Sequence, residues 1–340
     1  TTFVDALDRT VELDSYRTPP TVSGSVVTGG DPVKIVYGYD RRGNQASTTD
    51  DHGNTWTSGY DLLGRVVTRH DPDAGDSATS YDNLGNVLST TSAAGLVSYA
   101  YDALGRRTAR FDGDTTTTPV ATWTYDSTTI GNGIGQLATS TSRVGSDVYT
   151  TKINGYSRQG QPLGSTVTIP SSLANGALAR DYTVTNTYSV TTGLLEKTSY
   201  PAGGGLPAED VNRTYTTADL PTGVGSLIGS YVKSTSYNPY GQVDLTTLGF
   251  DGTDGAQISH IYDQHDNRLV NTYVDRLGTL PSRVDDVTYT TTPTGQVTAI
   301  TDQRLGGASE TQCFRYDLLG RLTSAWTAAS CQADPTAATI

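Results

Sequence analysis

Short runs in which apolar or aromatic side chains take alternate positions stop, again and again, at a polar string that opens with tyrosine and aspartate and closes with glycine. A period of two is the pattern of strands with one wet face, and the polar strings between the runs predict turns. Written out, the string is Tyr-Asp-x-x-Gly-Arg/Asn/Gln-x-apolar. Its closest copies are Tyr60-Asp61-Leu62-Leu63-Gly64-Arg65, Tyr81-Asp82-Asn83-Leu84-Gly85-Asn86, Tyr101-Asp102-Ala103-Leu104-Gly105-Arg106 and Tyr316-Asp317-Leu318-Leu319-Gly320-Arg321. Weaker copies begin at Tyr39, Tyr125, Tyr156, Tyr188, Tyr215, Tyr237, Tyr262 and Tyr289, giving twelve units whose tyrosines lie 20 to 32 residues apart. Residues Val4-Asp5-Ala6-Leu7-Asp8-Arg9 read as a degenerate thirteenth.

Each position has a backbone reason. Asp at one end and Gly three residues on suit a type I turn followed by a left-handed residue, the three-residue hairpin connection with its glycine bulge. Tyrosine then ends the incoming strand, and the apolar residue beyond Arg, Asn or Gln starts the outgoing one. Rings two positions before the tyrosine (Tyr37, Tyr99, Trp123, Phe314) share its face, which predicts a ladder of stacked rings. Departures fall where a loop absorbs them: Gly135 comes ten positions after Tyr125, Gly193 and Gly295 are late by one and two, and Asp219 and Asp266 stand in for glycine after Tyr215 and Tyr262. Aspartate tolerates the left-handed conformation better than most residues. The Gly- and Pro-bearing stretch 203–229 reads as a long loop or a weakly paired hairpin, and 171–180 as one short helical turn.

About 24 short strands, one hairpin per unit, have no private cores and must stack on their neighbours. The expected fold is all-β: tandem hairpins laid into one long antiparallel sheet that curls or spirals, because strands twist, into a partial hollow shell. Residues 1–340 are expected as a single repeat region, with recognisable units over 36–325, a degenerate repeat or capping segment at 1–35, and a tail or the start of another repeat at 326–340.

Composition agrees. There are 57 threonines and 21 tyrosines against 4 phenylalanines, and the hydrophobic share is 35%, so the core must be thin and half polar. The 28 aromatic side chains at ordered intervals argue against disorder. A net charge of −12 opposes a phosphate-tracking face, which excludes nucleic acid as the expected partner. No apolar run is long enough to span a bilayer as a helix. The chain opens without methionine and reads as a piece of a longer one.

The Tyr-Asp-x-x-Gly-Arg phrase, repeated through about residues 36 to 325, strongly resembles that of the YD or RHS (rearrangement hotspot) repeat proteins: bacterial polymorphic toxins, shell components of insecticidal toxin complexes, Gram-positive wall-associated proteins and the teneurins. The resemblance implies a β-ribbon spiralling into a hollow shell that, in the toxins, encloses a C-terminal effector. The implied role here is a non-catalytic structural shell segment of a secreted or cell-surface bacterial protein, encapsulating or presenting an effector that lies outside this sequence. The partners implied are neighbouring repeats and that effector. A surface module binding carbohydrate or protein through exposed rings is the alternative. The toxins close with a core segment whose aspartates and Asp-Pro-x-Gly signature perform self-cleavage. The nearest string here, Asp71-Pro72-Asp73-Ala74-Gly75, lies mid-chain with the wrong spacing, so no protease is expected.

Candidate chemistry is otherwise sparse. The four histidines are His52, His70, His260 and His265. His260 and His265 flank the Tyr262 turn with no third metal ligand near, and His260 holds the ladder position. Aspartates 71, 73 and 76, and 251 and 254, lack the ordered spacing of a calcium loop and read as solvated turns. The glycine-rich strings 131–135 and 223–229 lack the context of a phosphate loop. No catalytic residue, cofactor or metal is expected, and the residues singled out are structural: Tyr60, Asp61, Gly64, Arg65, Tyr81, Asp82, Gly85, Tyr101, Asp102, Gly105, Arg106, Tyr316, Asp317, Gly320 and Arg321. Cys313 and Cys331 flank one hairpin in a chain with no other cysteine, which predicts a disulfide and an oxidising compartment, two free thiols being the other possibility.

Overall fold

The computed structural model describes all residues except 25, 173–174, 250–254, 279–281, 318 and 332–340. The aspartates at 251 and 254 lie outside the described residues. Among the described residues, twenty-six strands belong to one antiparallel sheet, and Thr21–Ser23 pairs with Val26–Thr28 as a separate hairpin. The chain divides into two compact units, Thr1–Tyr182 and Thr183–Ile340.

In the first unit the chain runs as a meander. Strand Thr55–Tyr60 pairs with Val66–Asp71, which pairs with Gly75–Tyr81, which pairs with Val87–Ser92, which pairs with Gly95–Tyr101, and so on. At the tyrosine that ends an incoming strand the register slips by one residue, as at Tyr60 and Tyr101: Gly59 faces Thr68 but Tyr60 faces Val66, and Ala100 faces Ala109 but Tyr101 faces Arg107. That slip is the glycine bulge the phrase predicts. The second unit repeats the scheme, for example Thr187 opposite Lys197 and Tyr188 opposite Leu195. Within 203–229, expected as a long loop or a weakly paired hairpin, Glu209–Tyr215 and Pro221–Gly225 are paired strands, Asn212 opposite Gly225 through Thr214 opposite Gly223, with the register slip at Tyr215, which faces Pro221. Gly204 and Gly205, at φ +60° and +86°, form the turn before these strands, whereas Gly223 and Gly225 lie within the second of them. Gly223 sits where a Cβ would come within 2.8 Å of the Thr214 hydroxyl, so glycine serves a close strand approach. The helical turn expected within 171–180 is a 3-10 turn at Gly176–Leu178.

Buried side chains are few and mixed in kind. Phe111, Val211, Cys313 and Trp326 are buried, and so are Asp14, Ser98, Thr198, Thr247 and Ser259. One apolar cluster joins Ile130, Ala138 and Tyr156, with Ile153 packed against it. It exists because the turn after Tyr125 is long. The peptide N–H of Tyr156 donates to Gly131 O at 2.9 Å and the Asn132 side chain donates to Tyr156 O at 2.8 Å, so residues 130–135 fold down onto the next hairpin. The glycine-rich string 131–135 is thus a packing loop. A Cβ on Gly133 would meet Ile130 Cγ1 at 2.4 Å.

Candidate functional site

The repeated turn is closed by both backbone and side-chain hydrogen bonds. In the Tyr60 unit, the Gly64 N–H donates to Asp61 O at 3.1 Å and the Asp61 N–H to Arg65 O at 3.0 Å. Asp61 Oδ1 accepts the peptide N–H groups of Leu63 and Arg65 at 2.9 and 3.0 Å, and Oδ2 accepts Arg65 Nε at 2.7 Å. Asp82, Asp102 and Asp317 repeat the arrangement with Leu84 and Asn86, Leu104 and Arg106, and Leu319 and Arg321. Gly64, Gly85, Gly105 and Gly320 have φ of +77°, +92°, +75° and +76°. That is why glycine recurs. The peptide N–H of Arg65, together with its guanidinium, holds the Asp61 carboxyl below the usual carboxylate range. Asp102 and Asp317 are lowered in the same way, and at Asp82 the Asn86 amide leads.

Tyrosine does something the sequence reading did not assign. Its hydroxyl reaches back and donates to the backbone carbonyl that starts the outgoing strand of the preceding unit. Tyr60 bonds Gln45 O at 2.6 Å, Tyr81 Val66 O at 2.9 Å, Tyr101 Val87 O at 2.8 Å and Tyr125 Arg107 O at 3.0 Å. In the second unit Tyr215, Tyr237, Tyr262 and Tyr316 bond Leu195, Pro221, Val243 and Val297 in the same way. Arginine reaches forward. The Arg65 guanidinium lies 4.6 Å from the Tyr81 ring centroid and donates to Asp82 O at 2.8 Å, and that of Arg106 lies 4.5 Å from the Tyr125 ring and is paired with Asp126. The ladder expected as ring upon ring therefore has guanidinium groups over its tyrosines. Asp126, clasped first by Arg106 and then by the Gly135 N–H, is drawn down to about 2.

Some assignments shift by a residue or two. After Tyr262 the left-handed residue is Asn267 (φ +58°), since Asn267 N–H donates to Asp263 O and the turn is one residue longer than expected with Asp266 in that place. In the Tyr289 unit the turn is closed by Thr292 N–H to Gln296 O, and Thr291 faces Val297. Thr291 and Thr292 thus hold the Tyr and Asp places, and Tyr289 sits two positions earlier. Asp219 and Asp8 are left-handed, as their places in the phrase require, at +62° and +61°. One turn went unseen: Asp50-Asp51-His52-Gly53-Asn54 has the same geometry, with Asp50 accepting from His52 and Asn54. Asp-x-x-Gly-Asn was the available signal, hidden because Thr49 stands where tyrosine was sought.

The remaining candidates have structural partners. His70 pairs across strands with Asp76 at 2.6 Å, His260 with Thr272 at 3.1 Å, and His265 lies 3.4 Å from Asp263. Asp71 caps its own turn through Asp73 and Ala74. Asp50, Asp51 and His52 bring ligand-type atoms within 4.8 Å of one another, but Asp50 is spent on its turn and Asp51 on Arg17 and His52. Cys313 and Cys331 are disulfide-bonded, with Cα atoms 5.3 Å apart. Cys313 is fully buried on the strand beside Trp326, its register partner.

Residues 39–76 and 81–117 match the RHS Repeat family. No curated protein matches the chain. Among solved structures, TcdB2-TccC3 with Cdc42 is 17% identical at a TM-score of 0.75, covering 96% of this chain and 16% of that one. TcdB2-TccC3 without its hypervariable C-terminal region is 18% identical at 0.75, covering 96% and 16%. The Photorhabdus luminescens Tc holotoxin pore carrying a mutant TccC3 is 18% identical at 0.73, again covering 96% and 16%. The fold is shared, and the chain spans about a sixth of the length of those chains.

Proposed function

We propose that this chain, an RHS-repeat protein, is a non-catalytic wall segment of a larger hollow body whose task is to enclose or present an effector carried elsewhere in the protein. The observation that carries this reading is the use made of the tyrosines. In ten units the hydroxyl is bonded to a neighbouring hairpin's backbone, so the rings knit the sheet. A wall needs lateral cohesion without a thick core, and this one obtains it from side chains that tie each hairpin to the last. The turn carboxylates serve backbone amides, which fits a structural element. The shared fold with TcdB2-TccC3, a complex solved with and without its hypervariable C-terminal region, supports the wall reading. The Cys313–Cys331 bond supports an oxidising, extracellular location for a bacterial secreted or surface protein.

Cryo-electron microscopy of the longest natural form of the protein tests the proposal. Density enclosed by the repeat sheet, together with protection of that density from added protease, is the expected result. An open sheet with nothing inside, or an enclosed segment cut as fast as free polypeptide, overturns it.

A further inference from the structure

Two groups of crowded carboxylates on the strands are answered by a cation. Lys34 Nζ lies 2.5 Å from Glu12 and 4.0 Å from Asp14. Arg283 holds Asp275 and Asp286, each at 2.7 Å, and the Asn271 amide donates to Asp286 at 2.6 Å. Asp285 and Asp302, on the face opposite Asp286, are arranged differently.

Asp285 on strand Arg283–Thr291 faces Arg304, and Asp302 on strand Val297–Arg304 faces Val287 on one side and Glu310 of strand Glu310–Tyr316 on the other. These side chains share a face. On the far side of Asp285, strand Leu269–Arg276 presents Val274 opposite it and then Arg276 on the same face. Asp302 Oδ2 accepts from Arg304 at 2.5 Å, and that guanidinium side chain is 72% exposed. The other oxygen, Oδ1, is shielded from water and has no donor among the described residues. The Asp285 carboxyl is in hydrogen-bonding contact with Asp302. Ionised carboxylates only accept, so a hydrogen lies between the two only when one of them is protonated.

We propose that Asp285 and Asp302 hold one proton between them and act as a pH-operated latch on this end of the sheet. With the proton in place, one carboxyl donates to the other and the two strands close through to Arg304, beyond which the Leu305 N–H donates to Val284 O at 3.0 Å. When the proton passes to water, two carboxylates are left in contact where solvent screens them poorly. Glu310 then adds a third negative charge beside Asp302, and Arg304 is already engaged on Oδ2. Parting the strand ends relieves the repulsion. Desolvation, and then the Asp302 carboxyl, raise Asp285 above its ordinary 3.8, with the Asp286 charge adding to the rise and Arg304 opposing it. The latch is therefore closed in acid and released as pH climbs through the raised value toward neutrality. Acid tightens this seam while it weakens the repeated turns, whose carboxyls are shifted the other way.

Hydrogen exchange of the full chain, read by mass spectrometry at about pH 4 and about pH 7 and corrected for the intrinsic rate at each, tests the latch. Peptides covering 284–288 and 300–305 should lose protection several-fold at the higher pH, while those of the Tyr60 hairpin keep theirs. Asp285→Asn sets an N–H donor against Asp302 at every pH, so the pH dependence should vanish, and Asp302→Asn should remove it from the other side. Asp286→Asn, on the opposite face, should behave as the wild type does. Equal protection at both pH values in the wild type overturns the proposal, and so does a loss in Asp285→Asn and Asp302→Asn as large as the wild type's. A loss spread evenly over the second unit overturns it too, because the latch acts at one end of one strand pair. None of these outcomes depends on what the wall encloses.

Discussion

The guanidinium of Arg65 lies over the ring of Tyr81, 4.6 Å from its centroid, while its Nε holds Asp61 at 2.7 Å and one Nη holds Asp82 O at 2.8 Å. One side chain thus completes its own turn, covers the next unit's tyrosine and grips the next unit's aspartate. Replacing Arg65 by methionine and Tyr81 by leucine, singly and together, should reveal a coupling of about 0.5–1 kcal/mol in denaturant unfolding. Additive single effects would show the stack to be incidental.

The tyrosine hydroxyl makes a separate contribution. Tyr81→Phe keeps the ring and removes the bond to Val66 O, so the expected loss is about 1 kcal/mol, read as a lower urea midpoint at unchanged slope. The same change at Tyr289, whose place in the ladder is taken by Thr291, should cost less.

Gly85 offers a clean backbone test, because a Cβ there would meet nothing within 4 Å while φ is +92°. Gly85→Ala should destabilise by about 1–2 kcal/mol from conformation alone. Asp219→Gly, at φ +62°, relieves the same penalty and should stabilise or be neutral. A tolerated Gly85→Ala would show that the turn has another conformation available.

The turn carboxylates set the response to acid. Asp61, Asp82, Asp102 and Asp317 titrate below their ordinary value of 3.8 and Asp126 near 2, so the stability they supply is fully present above about pH 4–5 and is lost as pH falls through the lowered values. Asp285 has the opposite sign. Desolvation, and then the neighbouring Asp302, raise it, so the folded state holds its proton more tightly and Asp285 adds stability as pH falls. Thermal stability should therefore fall steeply between pH 4 and pH 2. In Asp126→Asn the decline should be shallower, and in Asp285→Asn stability near neutral pH should rise; identical profiles for all three proteins would refute the assignment.

Reducing the Cys313–Cys331 bond, which spans 18 residues, should lower stability by about 3 kcal/mol in the chain-entropy treatment. Cys331→Ser should reproduce the effect, with the loss confined to the hairpin around Tyr316 in hydrogen exchange. Uniform loss across the second unit would mean that this hairpin props up its neighbours.

Much of this fold is legible because the turn is local. Aspartate, left-handed glycine and the residue after it act within five positions, so Tyr60-Asp61 and Tyr316-Asp317 announce their hairpins unaided. Reading fails where the phrase is respelled. Ser157 replaces the aspartate with a hydroxyl that bonds the same two amides and Thr292 with one that bonds the second of them, while the tyrosine at 289 lies two residues ahead of the turn's own tyrosine place. The reach of Tyr81 back to Val66, and of Arg65 forward to Asp82, is invisible in sequence, since it depends on how neighbouring hairpins sit side by side.

Where both reaches are present, as at Tyr60 and Arg65, a hairpin is a link that grips the one before and the one after. Force applied along the sheet would be carried as a succession of small clasps. Peeled from one side, such a fabric would part stitch by stitch, in even steps of one hairpin, whereas load spread across all seams at once would meet every clasp together.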